Sequence, residues 1–230
     1  PFGVVSSFLI GISHSAVFSL IAVYATSMNF SILEVSIVTF LFAISGAISQ
    51  WPIGKLSDVL DRRIVIIYTT FGAALFCFLA IISSGQMYMP AGLATSKIFF
   101  YICIMCFSFC SLPMFALIFA HTNDFIPKEK FVAAGAGLQF VFGLGAICGP
   151  FMCSLFMEFL GENGFFIFLI IFHSFIGLFG IYRMQIRESG DNPDSQFVPM
   201  PQTITPAGIE LNPSTEPIDE QNNLNEFKKI

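Results

Sequence analysis

The sequence predicts an all-α membrane protein with six transmembrane helices, on the evidence of its composition, its apolar segments and its charge distribution. Of its 230 residues, 55% are hydrophobic and only 11% are charged, whereas soluble domains carry about 25% charged residues. A helical span needs about 20 predominantly apolar residues, and six such stretches occur. Because a bilayer core offers no water to the backbone, each stretch must form a helix that satisfies its own hydrogen bonds.

The six spans follow one another through the first four fifths of the chain. Their predicted bounds are Gly3–Thr26, Leu33–Ile53, Ile64–Ser84, Ser96–Ala120, Val132–Met157 and Phe165–Tyr182. The first span has no basic flank and no small-residue cleavage site, which is not the pattern of a signal peptide. The chain begins at Pro1 rather than at a methionine, so we expect it to be a fragment.

Basic residues lie almost entirely on one side of the predicted bilayer. That side carries Lys55, Arg62, Arg63, Lys128, Lys130, Arg183, Arg187, Lys228 and Lys229. The opposite side carries only Lys97. Since cytoplasmic loops are enriched in Lys and Arg, both termini are predicted to be cytoplasmic, which agrees with an even number of spans.

The composition changes after residue 187. Residues 188–230 hold eight acids, two lysines and six of the twelve prolines. A polar, proline-rich stretch of this kind buries too little apolar surface to offset the entropy of ordering. We therefore expect two regions: a transmembrane unit over 1–187 and a disordered acidic cytoplasmic tail over 188–230.

A charged stretch with defined spacing separates the second and third spans. Its residues Gly54, Leu56, Asp58, Asp61, Arg62 and Arg63 form a G-x-L-S-D-x-x-D-R-R pattern. Charge close to a membrane is costly and needs a reason. Here Gly54 would let the chain turn, Asp58 would stabilise a helix amino terminus, and Asp58 could pair with Arg62 four residues on. A plain positive-inside turn is the simpler interpretation, but it does not require glycine, leucine and aspartate at these offsets.

Small residues recur at every fourth position of the fifth span. The glycines of this stripe are Gly137, Gly145 and Gly149, and Pro150 follows the last of them. Small residues at this spacing let two helix backbones approach closely, and the proline predicts a bend. Static packing and a moving interface both remain open as interpretations of the stripe.

Two polar residues, His14 and Gln139, lie at membrane depth in the first and fifth spans. An ionisable side chain at that depth is a candidate functional residue. The alternative for His14 is a neutral ring that is hydrogen-bonded to a neighbouring helix. His173 in the sixth span is a weaker candidate because its neighbours are nearly all apolar.

The fourth span contains a cysteine face, a proline and a polar end. Cys103, Cys106 and Cys110 have the spacing of metal ligands, but no His or acid joins them, so we expect packing residues and neither a metal site nor a disulfide. Pro113 predicts a kink. His121, Asn123 and Asp124 predict a cytoplasmic cap that could belong to a gate. No set of residues suggests an enzyme or a cofactor, and no basic patch suggests a nucleic-acid partner.

Four motifs together resemble a known family. They are Gly3-Val4-Val5, the Gln50–Arg63 stretch that opens Gln-Trp-Pro-Ile-Gly, Val132-Ala133-Ala134 with the glycines up to Pro150, and Tyr182-Arg183-Met184. Residues 1–187 resemble the carboxy-terminal half, helices seven to twelve, of a major facilitator superfamily transporter. The resemblance is to a poorly characterised bacterial branch.

The resemblance implies half of a two-part fold, with a 3+3 inverted repeat in each half and a missing amino-terminal six-helix half as partner. It implies alternating access for a small-molecule substrate, as a symporter or antiporter coupled to protons, in a bacterial inner membrane. The first and fourth helices of such a half line the cavity, which adds Tyr24, Tyr101 and Ser108 to the candidate path of His14 and Gln139. Asp58 and Arg62 would lock the cytoplasmic gate.

Two other classes of protein remain alternatives. One is a complete six-span channel or scaffold that works as a homodimer through its second and fifth spans. The other is a membrane sensor whose tail binds a soluble partner. Neither of them accounts for the charged motif.

Overall fold

The computed structural model describes residues 2–86 and 93–186 together with Phe197 and Pro199. Its helices are α1 (Phe2–Ser27), α2 (Ile32–Val59), α3 (Arg62–Gln86), α4 (Leu93–Ser111), α5 (Met114–Asn123), α6 (Phe131–Leu160) and α7 (Gly164–Ile186), with a 3₁₀ turn at Lys128–Lys130. The described residues contain six spans long and apolar enough to cross a membrane, with α4 and α5 sharing one of them. The predicted all-α fold with six transmembrane helices is confirmed. The predicted tail lies outside the described residues except for Phe197 and Pro199.

The connection between α2 and α3 is shorter than predicted. The expected ten-residue break from Gly54 to Arg63 is wrong, because α2 continues to Val59 and only two residues precede α3. Gly54 therefore lies inside a helix and does not make the turn. The turn is made by Asp61, whose carbonyl accepts hydrogen bonds from the amides of Ile64 and Val65 at 2.9 and 3.2 Å. The polar motif is compatible with a helix that extends beyond the apolar core of the bilayer.

The fourth span is broken near its middle. Helix α4 ends at Ser111 and α5 begins at Met114. Pro113 has no amide hydrogen, so the helical hydrogen bond to the carbonyl of Phe109 cannot form. The kink predicted from Pro113 is thus confirmed, as an interruption of the helix. Pro150, in contrast, lies within a continuous α6.

Helix α1 packs most extensively against α6, and glycines make the close approach possible. A Cβ atom on Gly145 would lie 2.2 Å from the carbonyl oxygen of Phe8, and one on Gly149 would lie 2.2 Å from that of Ile12. Gly137 has no neighbouring atom within 4 Å of such a position. The predicted stripe is therefore divided, with its carboxy-terminal glycines in a helix contact and Gly137 outside it.

Helices α2 and α6 are the least covered spans. The share of buried residues in the apolar window is 28% for α2 and 22% for α6, against 44–67% for the other four spans. Both helices expose large apolar side chains, which include Phe40, Ile44, Ile48 and Trp51 on α2 and Phe140, Ile147 and Phe151 on α6. Lipid or another helical unit is needed to cover these faces.

Candidate functional site

Arg62 is the centre of the charged motif. Its Nη2 lies 3.0 Å from Asp58 Oδ1, and its Nη1 lies 2.5 Å from Asp124 Oδ1. The same Nη1 donates to the carbonyl oxygen of Ala120 at 3.0 Å. The pairing of Asp58 with Arg62 that the spacing suggested is confirmed, although α2 ends between the two residues. The guanidinium is only 8% exposed, so these acceptors replace most of its hydration.

The end of α5 supplies the second carboxylate of this cluster. Ala120 and Asp124 lie in the last turn and the cap of α5, where unpaired carbonyl groups give a helix a partial negative charge that favours a cation. His121 Nδ1 lies 3.9 Å from Asp124 Oδ2, so the predicted cap residues of the fourth span are neighbours of the motif. Arg62 thereby joins the α2–α3 turn to the end of α5.

Asp61 and Arg63 form a separate pair within the turn. Arg63 Nη2 lies 2.7 Å from Asp61 Oδ2, and the Arg63 amide donates to Asp61 Oδ1 at 2.9 Å. The hydrogen bond from the Arg63 guanidinium is the main cause that lowers the pKa of Asp61 below its ordinary value. Both partners belong to one turn, so this pair fixes the local backbone and does not link distant helices.

A residue beyond the six spans contacts the same motif. The backbone amide of Phe197 donates to Asp58 Oδ1 at 2.9 Å. Its ring lies against Gly54, where a Cβ atom would be 2.2 Å from Phe197 Cδ1. Gly54 is therefore the motif residue whose missing side chain leaves room for this ring. Asp58 accepts hydrogen bonds from both Arg62 and Phe197.

A second polar cluster is buried in the interior of the bundle. His14 Nε2 lies 3.0 Å from Ser111 Oγ, and Ser111 Oγ lies 2.8 Å from His173 Nε2. His173 Nδ1 lies 2.9 Å from the carbonyl oxygen of Leu169 and 3.3 Å from Ser13 Oγ. The two histidines and Ser111 are almost completely buried. We call His14, Ser111 and His173 the histidine–serine cluster.

The histidine–serine cluster lies at a similar depth on three helices. His14 is about halfway along α1, His173 is near the middle of α7, and Ser111 is the last residue of α4 before the break at Pro113. The Phe142 ring packs edge-on near His14, and the Phe107 ring does so near His173. The polar groups thus lie inside an aromatic surround, beside a discontinuity in the fourth span.

The other candidate path residues occupy different surroundings. Tyr24 is buried among the rings of Phe100, Phe165 and Phe166. Ser108 donates a short hydrogen bond to the Phe42 carbonyl and so joins α4 to α2.

Two more of these residues lie elsewhere in the bundle. Tyr101 lies on α4 with its ring centroid 6.2 Å from that of Phe30, near the ion pair of Lys97 with Glu34, whose charged atoms are 2.6 Å apart. Gln139 is partly buried on α6.

Sequence reasoning missed three partners at these two sites. It rated His173 weakly and did not connect Ser111 with His14 or Asp124 with Arg62. Two signals were present in the sequence: His14 and His173 are both near the centres of their spans, and Asp124 ends a span on the same side as the motif. The pairing itself requires the helix arrangement.

Comparison with known proteins agrees with this architecture. The Major Facilitator Superfamily profile matches residues 3–214. An uncharacterized MFS-type transporter of Yersinia enterocolitica, YE1530, is 23% identical over 195 residues, which cover 85% of this chain and 46% of the relative. The uncharacterized MFS-type transporter YfkF of Bacillus subtilis is 27% identical over 154 residues, 65% of this chain and 35% of YfkF.

The third relative is similar in extent. The uncharacterized MFS-type transporter Ent638_1421 of an Enterobacter species is 24% identical over 191 residues, 83% of this chain and 45% of the relative. The chain thus spans about half the length of the curated relatives it matches. No solved structure matches the chain. With six apolar spans and a profile that covers most of its length, the chain belongs to the Major Facilitator Superfamily, whose members are membrane transporters rather than enzymes.

Proposed function

We propose that this chain is the carboxy-terminal six-helix half of a secondary transporter that moves a small solute by alternating access, driven by protons. The proposed location is a bacterial inner membrane, with both ends of the chain cytoplasmic. The observation that carries the proposal is the position of Arg62, held between the carboxylates of Asp58 and Asp124 at one end of the bundle. A switchable contact at that place would control access to the interior from that side.

The two carboxylates around Arg62 are suited to different tasks. The Asp124 side chain is 11% exposed and that of Asp58 is 36% exposed. Asp124 would keep Arg62 neutralised while Asp58, at the accessible edge, exchanges partners during the cycle. Asp58 already accepts a hydrogen bond from the backbone amide of Phe197 in addition to the one from Arg62. Exchange at Asp58 costs less than removal of both carboxylates, which would leave a buried charge unpaired.

Two observations support the proposal of a second six-helix half. The chain covers less than half the length of the relatives, and α2 and α6 leave most of their apolar surface uncovered. In this arrangement a second six-helix unit would pack on α2 and α6, and the solute would bind between the two units. The same faces would suit a second copy of the chain, which is the arrangement of the homodimeric channel alternative.

The test is a solute screen on the protein that carries this chain. The purified protein is reconstituted in proteoliposomes, and capacitive currents on a solid-supported membrane are recorded for a panel of sugars, amino acids, organic acids and organic cations. Each solute is applied with and without an inward proton gradient. We expect a saturable current for one solute class that increases with the proton gradient. A current that does not saturate would support a channel instead.

Asp58→Asn is the diagnostic variant for the gate. It removes the charge of the exchangeable acceptor, so we expect turnover to fall at least tenfold while the solute concentration at half-maximal current changes less than threefold. Glu129→Gln is the matched control, because it also replaces a carboxylate by an amide, but at an exposed position of the 3₁₀ turn beside α6. Normal turnover of Asp58→Asn would overturn the proposed gate.

A further inference from the structure

We propose that Phe197 is an internal ligand of the charged motif, and that it holds the transporter open toward the cytoplasm while it is bound. The binding itself rests on contacts within this chain. Its effect on the transport cycle rests on the proposed function, because it requires a second six-helix unit that packs on α2 and α6.

The backbone of Phe197 binds the more exposed carboxylate of the motif. Its amide donates to Asp58 Oδ1 at 2.9 Å, and Arg62 Nη2 lies 3.0 Å from the same oxygen. A hydrogen bond to an ionised acceptor is about twice as strong as one between neutral groups. Every residue except proline carries such an amide, so this bond supplies affinity but does not select phenylalanine.

The ring of Phe197 supplies the selectivity. It lies at Gly54, where even a methyl group would overlap Cδ1 and Cε1 of the ring. Gly54 and Asp58 are four residues apart within α2 and therefore share one face of the helix. The amide and the ring of a single residue thus occupy two successive positions on that face.

The ring also packs against apolar side chains of other helices. Phe197 contacts the buried group formed by Ala116 and Phe119 on α5 and Leu138 on α6. Helices α2 and α6 do not pack extensively against each other. Phe197, which is half-buried, therefore connects α2 with the α5–α6 group at the end of the bundle that carries the motif.

The charges of the two partners are complementary. Residues 188–230 carry eight acids and only two lysines. The end of the bundle that Phe197 contacts carries basic side chains in three places, namely Lys55 on α2, Arg63 on α3 and Lys130 before α6. At physiological ionic strength such an attraction acts over about 8 Å. It would favour the approach of this part of the chain, while the contacts at Gly54 and Asp58 determine which residue binds.

Phe197 and the proposed second unit would compete for one surface. In the proposed transporter the second unit packs on α2 and α6, and Phe197 covers part of α2 at its cytoplasmic end. Both cannot occupy that place at once, so Phe197 would bind when the second unit has moved away from this end. A group that binds one state only shifts the equilibrium toward that state. Bound Phe197 would therefore delay the return to the state that is closed toward the cytoplasm.

The first test locates the ring without any transport measurement. The label 4-fluorophenylalanine is placed at position 197 of the protein that carries this chain, in lipid nanodiscs. Its fluorine resonance is recorded with and without a water-soluble gadolinium chelate. We expect a resonance that is shifted from that of solvent-exposed fluorophenylalanine and that the chelate broadens little.

Two glycine variants show whether the notch on α2 holds the ring. Gly54→Ala fills the notch, so the resonance should move to the solvent-exposed position and broaden. Gly137→Ala is the matched control, because its added methyl group meets no atom within 4 Å, and the resonance should not change. A solvent-exposed resonance in the wild-type protein, or one that a folded Gly54→Ala protein leaves in place, would overturn the binding. The wild-type spectrum decides the question if Gly54→Ala does not fold.

The second test measures the effect on transport. Phe197→Ala removes the ring and keeps the backbone amide, and we expect it to raise turnover by about threefold, the effect of a weak contact made in one state only. Phe197→Leu retains an apolar side chain and should lie between the two. Phe227→Ala is the matched control, since Phe227 is the other phenylalanine of residues 188–230. Unchanged or reduced turnover in Phe197→Ala would overturn the inhibitory role.

The two tests separate this proposal from the proposed function. A protected fluorine resonance without a solute-evoked current in either the wild-type protein or Phe197→Ala would uphold the binding and contradict the transporter. A saturable, proton-dependent current with a solvent-exposed ring would uphold the transporter and overturn the binding.

Discussion

Arg62 is a buried cation whose three acceptors come from two distant parts of the chain. Asp58 belongs to the end of α2, and Asp124 with the Ala120 carbonyl belongs to the end of α5. Arg63, the adjacent residue of the same type, pairs with Asp61 in its own turn. Two neighbouring arginines thus have different roles, one in tertiary contact and one local, and this makes them a matched pair for mutation.

Arg62→Ala should lower the free energy of unfolding by about 3 kcal/mol, because it leaves the carboxylate of Asp124 without its buried partner. Arg63→Ala should cost less, about 1 kcal/mol, because its partner Asp61 lies in the same turn and is 25% exposed, so water can solvate the carboxylate that loses its partner. Unfolding by sodium dodecyl sulfate in mixed micelles, followed by circular dichroism, measures both variants. Equal losses for the two would contradict the assignment of Arg62 as the structural link.

The Asp61–Arg63 pair should have a pH-dependent contribution to stability. The folded protein lowers the pKa of Asp61, mainly through the hydrogen bond from Arg63. The stabilisation is therefore present above the unfolded-state pKa of about 4 and is lost as the pH falls through the lower folded-state value.

Comparison of the wild-type protein with Asp61→Asn tests this sign. We expect a stability difference of under about 1 kcal/mol at pH 7 that shrinks toward zero as the pH falls below about 4. Unfolding in mixed micelles over this pH range gives the difference. A difference that increases on acidification would show that the sign is wrong.

At the residue scale, the sequence indicated which side chains are candidate functional residues better than it indicated which residues they contact. The spacing of four between Asp58 and Arg62 was enough to predict their pairing, because it is a local relation. Asp124 is 62 positions from Arg62, and Ser111 is 97 positions from His14. No local pattern encodes contacts of that separation, so they depend on how the helices pack.

At the element scale, the contact of α1 with α6 depends on glycine. Gly11 and Gly145 each face a backbone carbonyl of the opposite helix, at a distance of 2.2 Å from an added Cβ atom. A methyl group at either position must separate the helices, because backbone atoms cannot rotate away as a side chain can. Gly137, on the same helix as Gly145, has open space at that position.

Gly145→Ala should therefore destabilise the protein by about 1–3 kcal/mol, the usual cost of overpacking. Gly137→Ala should be neutral or stabilising by up to about 1 kcal/mol, because alanine favours a helix more than glycine does. The same unfolding measurement in mixed micelles compares them. If Gly137→Ala were the more damaging change, the α1–α6 contact would be incorrectly described.

The helices themselves were largely predictable and their ends were not. Six apolar stretches gave the number of spans, since a bilayer requires each of them to be a helix. The charged motif suggested a long loop, yet α2 extends to Val59 because polar residues are tolerated in a helix that leaves the membrane core. The proline at 113 interrupts its span, whereas that at 150 does not, and proline alone does not distinguish the two outcomes.

At the scale of the whole molecule, the six spans form a unit with two uncovered sides. Helices α2 and α6 are the least buried spans, while the charged cluster lies at one end of the unit and the histidine–serine cluster lies in its middle. A second unit on α2 and α6 would enclose a path between the two clusters. A single solute site that opens alternately to each side would then explain why a charged cluster at one end and a buried polar cluster in the middle occur in one chain.

Solute counterflow tests this central claim most directly. Proteoliposomes loaded with a high concentration of the unlabelled solute found in the screen are diluted into a trace of the labelled solute. The abundant unlabelled solute inside occupies an alternating site on most of its outward steps, whereas labelled solute occupies it on its inward steps. We therefore expect the label to accumulate transiently inside, above its external concentration. Label that rises only to the external concentration, as through a channel, would contradict the account.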